Sequence, residues 1–333
     1  MRSDREKEAL ANDTLVPNTV VKNLDSTYAF KQQLLNAWKP KPTLKCAITV
    51  YLFIGLLFFA LGIAVLVFTD KIHERVVRYD NVSACYPLGT TCALKFNIKE
   101  TIPAPVHIYY EIDKFYQNHR RYILTIPFTQ LRGNDLPASD LSNCGSVLYN
   151  KDIPATVAVD GTPLDPDDVA IPCGNAARAF FNDTFVLISA ETALAYEISD
   201  EGIAWKSDID HKFKNIDLSR QWRDIEDERF MTWMKIAPFS NFRKGWGVIN
   251  NDIPAGDYNL MVTNNWDVQT FGGRKYFVIS NANEFGGKNY FLAYSYIAFG
   301  SLSILLGILF IFRKLKRPKG ILNKIFKETN FIS

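Results

Sequence analysis

The side chains in this chain that could do chemistry are scattered. Its four histidines, His73, His107, His119 and His211, are isolated from one another, and none belongs to the HExxH spacing that sets two metal ligands on one helix face. No GxSxG elbow or phosphate-cradling P-loop occurs. The acidic run at 160–168, DGTPLDPDD, invites a calcium reading. It lacks the central glycine and terminal glutamate of an EF-hand loop and reads as a solvated turn. Asp224, Glu226, Asp227 and Glu228 beside Arg223 and Arg229 suggest paired carboxylates, but on a charged helix they read as a salt-bridged surface. The expectation is a chain without catalytic residues, cofactor, metal or nucleic-acid partner.

Cysteine is the exception. Four of the five cysteines, Cys85, Cys92, Cys144 and Cys173, fall in one central segment. An even number there reads as a disulfide set in an oxidising compartment. They lack the closely spaced ligand pairs of a zinc site. Four cysteines allow three pairings, which spacing alone does not resolve. The short first loop closes at least entropic cost, favouring Cys85–Cys92 with Cys144–Cys173.

The elements that must position these groups begin with two uncharged apolar runs at 46–68 and 290–312. A bilayer core of about 30 Å needs about 20 apolar residues, so each run is a transmembrane helix. About 45 residues precede the first, and no small-residue cleavage site follows it, so it is expected to be an uncleaved anchor rather than a signal peptide. Arg313, Lys314, Lys316, Arg317 and Lys319 follow the second run, with Lys288 alone just before it. The first run has Lys39, Lys41 and Lys45 before it and Lys71, Arg75 and Arg78 after it, so its flanks alone are ambiguous. Basic residues are retained on the cytosolic side and two spans return the chain to the side it started from, so the second run decides: both ends are expected inside and residues 69–289 outside. The expected organisation is a tail and juxtamembrane helix at 1–45, a span at 46–68, an exoplasmic domain at 69–289, a span at 290–312 and a basic tail at 313–333. Two Asn-x-Ser/Thr sequons, at Asn81 and Asn182, lie in the exoplasmic segment, whereas the one at Asn12 faces the cytosol and should stay bare.

Neither span carries Asp, Glu, Lys, Arg or His, and its polar groups are little more than hydroxyls, which argues against a transporter or channel acting alone. Ala293, Gly300, Ser303 and Gly307 share one face of the second span, and Gly55 and Gly62 lie a heptad apart in the first. Small residues let helices approach closely in lipid, so this face could pack the two spans together or serve a partner. In the juxtamembrane stretch, Phe30, Leu34, Ala37 and Trp38 share a helical face that could lie on the membrane or on a partner.

Between the spans the local signals are mostly β. VHIYYEI, RYILTIPF, TVAVD, TFVLISA and KYFVIS are rich in β-branched and aromatic residues, and turn signals such as Asp160-Gly161 separate them. Residues 218–233 read as a charged helix. No strand–helix alternation runs through the segment, so the fold class is a two-pass helical anchor carrying a large, disulfide-bonded, antiparallel sandwich or jelly-roll-like domain.

Several blocks together resemble one family. FKQQLLNAWKPKPT at 30–43, YQNHRRY at 116–122, PCG at 172–174 with FNDT at 181–184, GIAWKSD at 202–208, FMTWMKIAPFSNFRKGW at 230–246 and GGKN at 286–289 occur in order. The chain thereby resembles the cell-division-control-protein-50 (ligand-effect-modulator) family, the β-subunits of type IV P-type ATPase phospholipid flippases. The resemblance implies a glycosylated, disulfide-bonded β-rich domain bound to a ten-helix ATPase as a heterodimer in contact with membrane lipid. It implies a chaperone role in endoplasmic reticulum exit, toward Golgi, endosomes or plasma membrane, and a role in the pump cycle, with ATP hydrolysis left to the partner. The expected partner contacts are Phe30, Leu34 and Trp38, the small-residue face at Gly300, Ser303 and Gly307, and a surface around Arg120, Arg121 and Trp246. The rival is a stand-alone two-pass receptor or adhesion glycoprotein.

Overall fold

The computed structural model describes residues 43–282 and 286–316. The segment holding Phe30, Leu34 and Trp38, the Asn12 sequon and the end of the basic tail lie outside the described residues. Among the described residues the helical segments are α1 (Leu44–Asp70), α2 (Arg120–Ile123), α3 (Phe128–Leu131), α4 (Asn175–Arg178), α5 (Lys206–His211), α6 (Glu228–Met234) and α7 (Tyr290–Lys316). Helices α1 and α7 have 27 residues each, so each reaches about 40 Å at 1.5 Å per residue and exceeds the bilayer core. Most of their apolar side chains face outward rather than into the protein, as in a two-pass anchor and unlike a soluble core helix.

The strands are β1 (Glu74–Arg78), β2 (Thr90–Ile98), β3 (Val106–Asp113), β4 (Thr184–Ser189), β5 (Ala195–Tyr196), β6 (Phe242–Ile249), β7 (Gly256–Asn264) and β8 (Arg274–Asn281). They pair in a nested way: β4 with β5, β3 with β6, β2 with β7 and β1 with β8, all antiparallel. The chain thus follows one long hairpin. Cross-pairing of β3 with β8 and β4 with β7 rolls that hairpin into two four-stranded sheets, ordered β1-β8-β3-β6 and β2-β7-β4-β5. This is an eight-stranded jelly roll.

Strand periodicity explains which side is buried. In β3, Val106, Ile108, Tyr110 and Ile112 are buried while the alternate residues are half-buried. In β7, Tyr258, Leu260 and Val262 point inward in the same way. Rings from the two sheets meet where Phe277 lies 5.2 Å from Phe185 and 6.3 Å from Phe96.

Two long connections, 114–183 and 197–241, carry α2 to α6 and complete the core. Cys144 is bonded to Cys173 within the first connection, and Cys85 to Cys92 at the entry to β2. This is the pairing favoured by loop length.

Three local expectations are corrected. TVAVD is not a strand, since within it only Val157 forms a bridge, to Pro163 across the turn at Asp160-Gly161. RYILTIPF is not a strand: Tyr122 N–H bonds His119 O and Leu124 N–H bonds Arg120 O, forming α2, and Pro127 has no donor for a ladder. Residues 218–233 do not form one charged helix, since only Glu228–Met234 is helical. The carboxylates there bind polar and backbone N–H groups instead of cations. Asp224 accepts from the Asn215 amide side chain, Glu226 from Asn215 N–H, Asp227 from Arg229 N–H as the cap of α6, and Glu228 from Ala204 N–H. Such side chains compete with helical hydrogen bonds and favour caps and turns.

Candidate partner-binding site

The block at 116–122 divides its residues between core and surface. Gln117 is buried, donating to Trp233 O at 3.3 Å and accepting from Ala237 N–H at 3.0 Å. Asn118 donates to Pro238 O, and His119 caps α2 by accepting the Arg121 N–H. Only Gln117 of this block is buried; Asn118 and His119 hold their neighbours from exposed positions, and Tyr116, Arg120 and Arg121 stand exposed beside them. Arg121 and Leu124 line an open recess of about 450 Å³ together with Asn143 and Asn175.

That recess is held by residues far apart in sequence. Ala176 O accepts from the Trp233 indole at 2.8 Å and the Tyr122 hydroxyl at 3.4 Å. Gln130 joins the Cys144–Cys173 region by accepting Cys173 N–H at 2.9 Å and donating to Ala170 O. Gly174 has φ +94°, and a Cβ there would lie 2.0 Å from Thr125 O, so this approach requires glycine. The blocks YQNHRRY, PCG and FMTWMK are therefore one packed unit.

A second cluster joins GIAWKSD to FMTWMK. The Asp208 side chain is buried and lies 2.7 Å from both Lys212 Nζ and Lys235 Nζ. Burial works against its charge, but the two ammonium groups together outweigh burial and hold the carboxyl below its ordinary range. Lys235 also sits 3.2 Å above the ring of Trp205, which is 69% exposed.

Sequence reasoning missed two buried lysines. Lys275 is 1% exposed and places Nζ 2.6 Å from Asp183 Oδ2 and 2.5 Å from Asn264 Oδ1, with Trp266 O as a further acceptor. Asp183 is also buried, accepting from the Tyr79 hydroxyl at 2.6 Å and from the N–H groups of Asn265 and Trp266 at 2.7 Å. Burial pulls the Lys275 ammonium below the usual lysine range and Asp183 opposes it. Burial and the Asp183 charge push the Tyr79 phenol far up, keeping it a donor. Lys244 donates to Trp233 O at 2.6 Å, to Thr232 O at 3.0 Å and to Lys235 O, closing the C-terminus of α6. Strand parity was the available signal: Lys275 shares the inward face with Phe277 and Ile279, and Lys244 with Phe242 and Trp246.

Trp246 is not part of the surface carrying Arg120 and Arg121. It is buried, donates to Asp183 O at 3.2 Å, packs 5.0 Å from Phe185 and lies under the Arg229 guanidinium at 3.9 Å. Of the two uses open to the small-residue face, the structure shows packing between the chain's own spans. A Cβ on Gly55 would lie 2.7 Å from Ile304 and 3.0 Å from Gly300 O, and one on Gly307 would lie 2.8 Å from Leu52. Gly300, Ser303 and Gly307 are buried, with Gly300 and Gly307 packed against α1. Close backbone approach consumes this face within the chain. The outward faces are formed by larger apolar residues such as Phe53, Leu56, Leu302 and Leu309.

Asn81 and Asn182 are both exposed. Asn182 and Asp183 immediately precede β4, and the first is exposed while the second is buried.

A family model described as the LEM3 (ligand-effect modulator 3) family / CDC50 family matches residues 65–320. The chain is 33% identical over 325 residues to the Arabidopsis thaliana protein named putative ALA-interacting subunit 2, with 88% of each chain covered. It is 31% identical over 331 residues to mouse (Mus musculus) cell cycle control protein 50A, covering 85% of this chain and 87% of that one. It is also 29% identical over 333 residues to human (Homo sapiens) cell cycle control protein 50B, covering 85% and 91%. A two-helix anchor, a disulfide-bonded jelly roll and sequence blocks packed into one core accompany a match over most of the chain, which belongs to the LEM3/CDC50 family.

Proposed function

We propose that this chain is the non-catalytic accessory subunit of a type IV P-type ATPase phospholipid flippase. The observation that carries this reading is membership of a family whose relatives include proteins named ALA-interacting subunits. The chain supports folding and endoplasmic reticulum exit of the pump and shapes its cycle. ATP hydrolysis and lipid translocation belong to the partner. Both termini face the cytosol, the jelly roll is exoplasmic, and glycans are carried by Asn182 and Asn81. Since a bound subunit shifts a conformational equilibrium only through differential affinity for the states, its contacts must change during the pump cycle.

The partner contacts assigned to it are the juxtamembrane residues Phe30, Leu34 and Trp38, the outward apolar faces of α1 and α7, the exposed Arg120, and the recess lined by Arg121. The exposed Tyr116 and Phe239 favour this side of the domain, since large apolar groups left in solvent mark interaction surfaces. Affinity purification in mild detergent tests the reading: a large membrane ATPase should co-purify, and the chain expressed without it should stay in the endoplasmic reticulum. Travel to the cell surface alone with no large partner would favour the receptor alternative. ATP turnover by the isolated chain would overturn the accessory-subunit reading.

A further inference from the structure

A cleft of about 370 Å³ opens where the jelly roll meets the ends of the two long helices. Asp70 is the last residue of α1 and Tyr290 the first of α7, and the Tyr290 hydroxyl donates to Asp70 Oδ1 at 2.9 Å. In a two-pass anchor these residues mark the bilayer surface, so the cleft sits at head-group depth.

Its walls carry charges of both signs, in different states of engagement. The Glu74 carboxylate is taken by Arg243 at 2.7 Å, and Glu100 lies 3.1 Å from His73 Nδ1. Arg75 on β1, Lys99 after β2 and Lys288 before α7 also line the cleft, and among the described residues none of the three pairs with a carboxylate. Three available cations converging at one cavity form a site for an oxyanion: guanidinium supplies a planar fork of donors and the lysines supply point charges. The Glu100 side chain is 72% exposed and adds an acceptor for a positive group. The volume lies within the roughly 300–1,000 Å³ of small-molecule sites.

We propose that this cleft binds a phosphate-bearing zwitterionic head group, with Arg75, Lys99 and Lys288 holding the phosphate and Glu100 facing the ammonium. The same chemistry could come from a membrane phospholipid or from a soluble phosphodiester, and the bilayer depth of the cleft favours the phospholipid.

The test uses the full chain in a phosphate-free glucoside detergent, titrated with dihexanoylphosphatidylcholine, glycerophosphocholine and inorganic phosphate while phosphorus NMR line widths are followed. Saturable broadening of the short-chain phospholipid is expected, weakened at least tenfold by Arg75→Gln with Lys99→Gln. It should be unchanged by Lys95→Gln, which removes an outward charge elsewhere on β2. Lys99→Gln alone, at an exposed position, should weaken binding about threefold and guards against misfolding of the double variant. Glycerophosphocholine binding as tightly as the lipid would support the phosphate site and assign it a soluble ligand. Undiminished phospholipid affinity in both Gln variants, or no saturable binding of any of the three probes, would overturn the proposal.

Discussion

Lys275 and Asp183 lie 92 residues apart in sequence and 2.6 Å apart in the core, both almost without solvent contact. Two ions removed from water are costly unless their remaining donors and acceptors are matched. Here the Lys275 ammonium has three acceptors, and Asp183 has three further donors from Tyr79, Asn265 and Trp266. The pair joins β8 to the start of β4 and belongs to opposite sheets of the jelly roll.

Breaking one side of this pair leaves an uncompensated buried charge. Lys275→Met should destabilise the domain by about 3–5 kcal/mol. Asp183→Asn preserves the Asn-x-Thr sequon while removing the charge. Denaturation of both single variants and the double variant should give a coupling of at least about 1 kcal/mol. Simple additivity would mean that the pair contributes no interaction of its own.

Acid should loosen the Asp208 cluster. The carboxyl is held below its ordinary value in the fold, so the unfolded chain takes up this proton first as pH falls. Its stabilising contribution is full above the ordinary carboxylate range and disappears as pH drops through the depressed folded value. Asp208→Asn should flatten that acid limb of a melting-temperature profile and leave the neutral-pH slope alone. An identical acid limb in the variant would remove Asp208 from the explanation.

Gly174 and Gly161 both have positive φ, but only Gly174 faces the Thr125 carbonyl. Gly161→Ala should cost about 1–2 kcal/mol, the left-handed backbone penalty. Gly174→Ala must also displace Thr125, so its cost should be clearly larger and should be accompanied by loss of the recess beside Arg121. Equal melting temperatures for the two variants would contradict the packing described.

Bulk on the buried helix face should separate the chain's own spans. Gly55→Leu and Gly307→Leu each place a side chain where Ile304 or Leu52 already sits. Cysteine cross-linking between α1 and α7 should fall in both variants, whereas Leu309→Ala on the outward face should leave it intact. Unchanged cross-linking in the Leu variants would show that the helices pack through another face.

Topology has its own readout. Asn182→Gln should remove one glycan from the mobility of the protein on a gel, and Asn12→Gln should remove none. A shift at Asn12 would invert the proposed orientation.

Sequence alone determined the two spans, because an uncharged apolar run of bilayer length needs no tertiary contact to be recognised. It also determined the β-rich class and favoured the cysteine pairing through loop length. Strands such as VHIYYEI and TFVLISA were legible because alternating side chains and β-branched residues are local properties. Tertiary structure decided which residues of the blocks are internal. Trp246 and Arg121 come from comparable aromatic and basic blocks, yet Trp246 packs against Phe185 and Arg229 while Arg121 edges a solvent recess. RYILTIPF had strand composition but was turned into α2 by hydrogen bonds from its own neighbours and by Pro127. Gly300 and Gly307 suited a partner and the chain's own first helix equally well until Leu52 and Gly55 were placed against them. Lys275 read as an ordinary strand lysine because its acceptors lie on other strands and loops, and hydrogen-bond satisfaction in a core is a property of three-dimensional neighbours that periodicity does not encode.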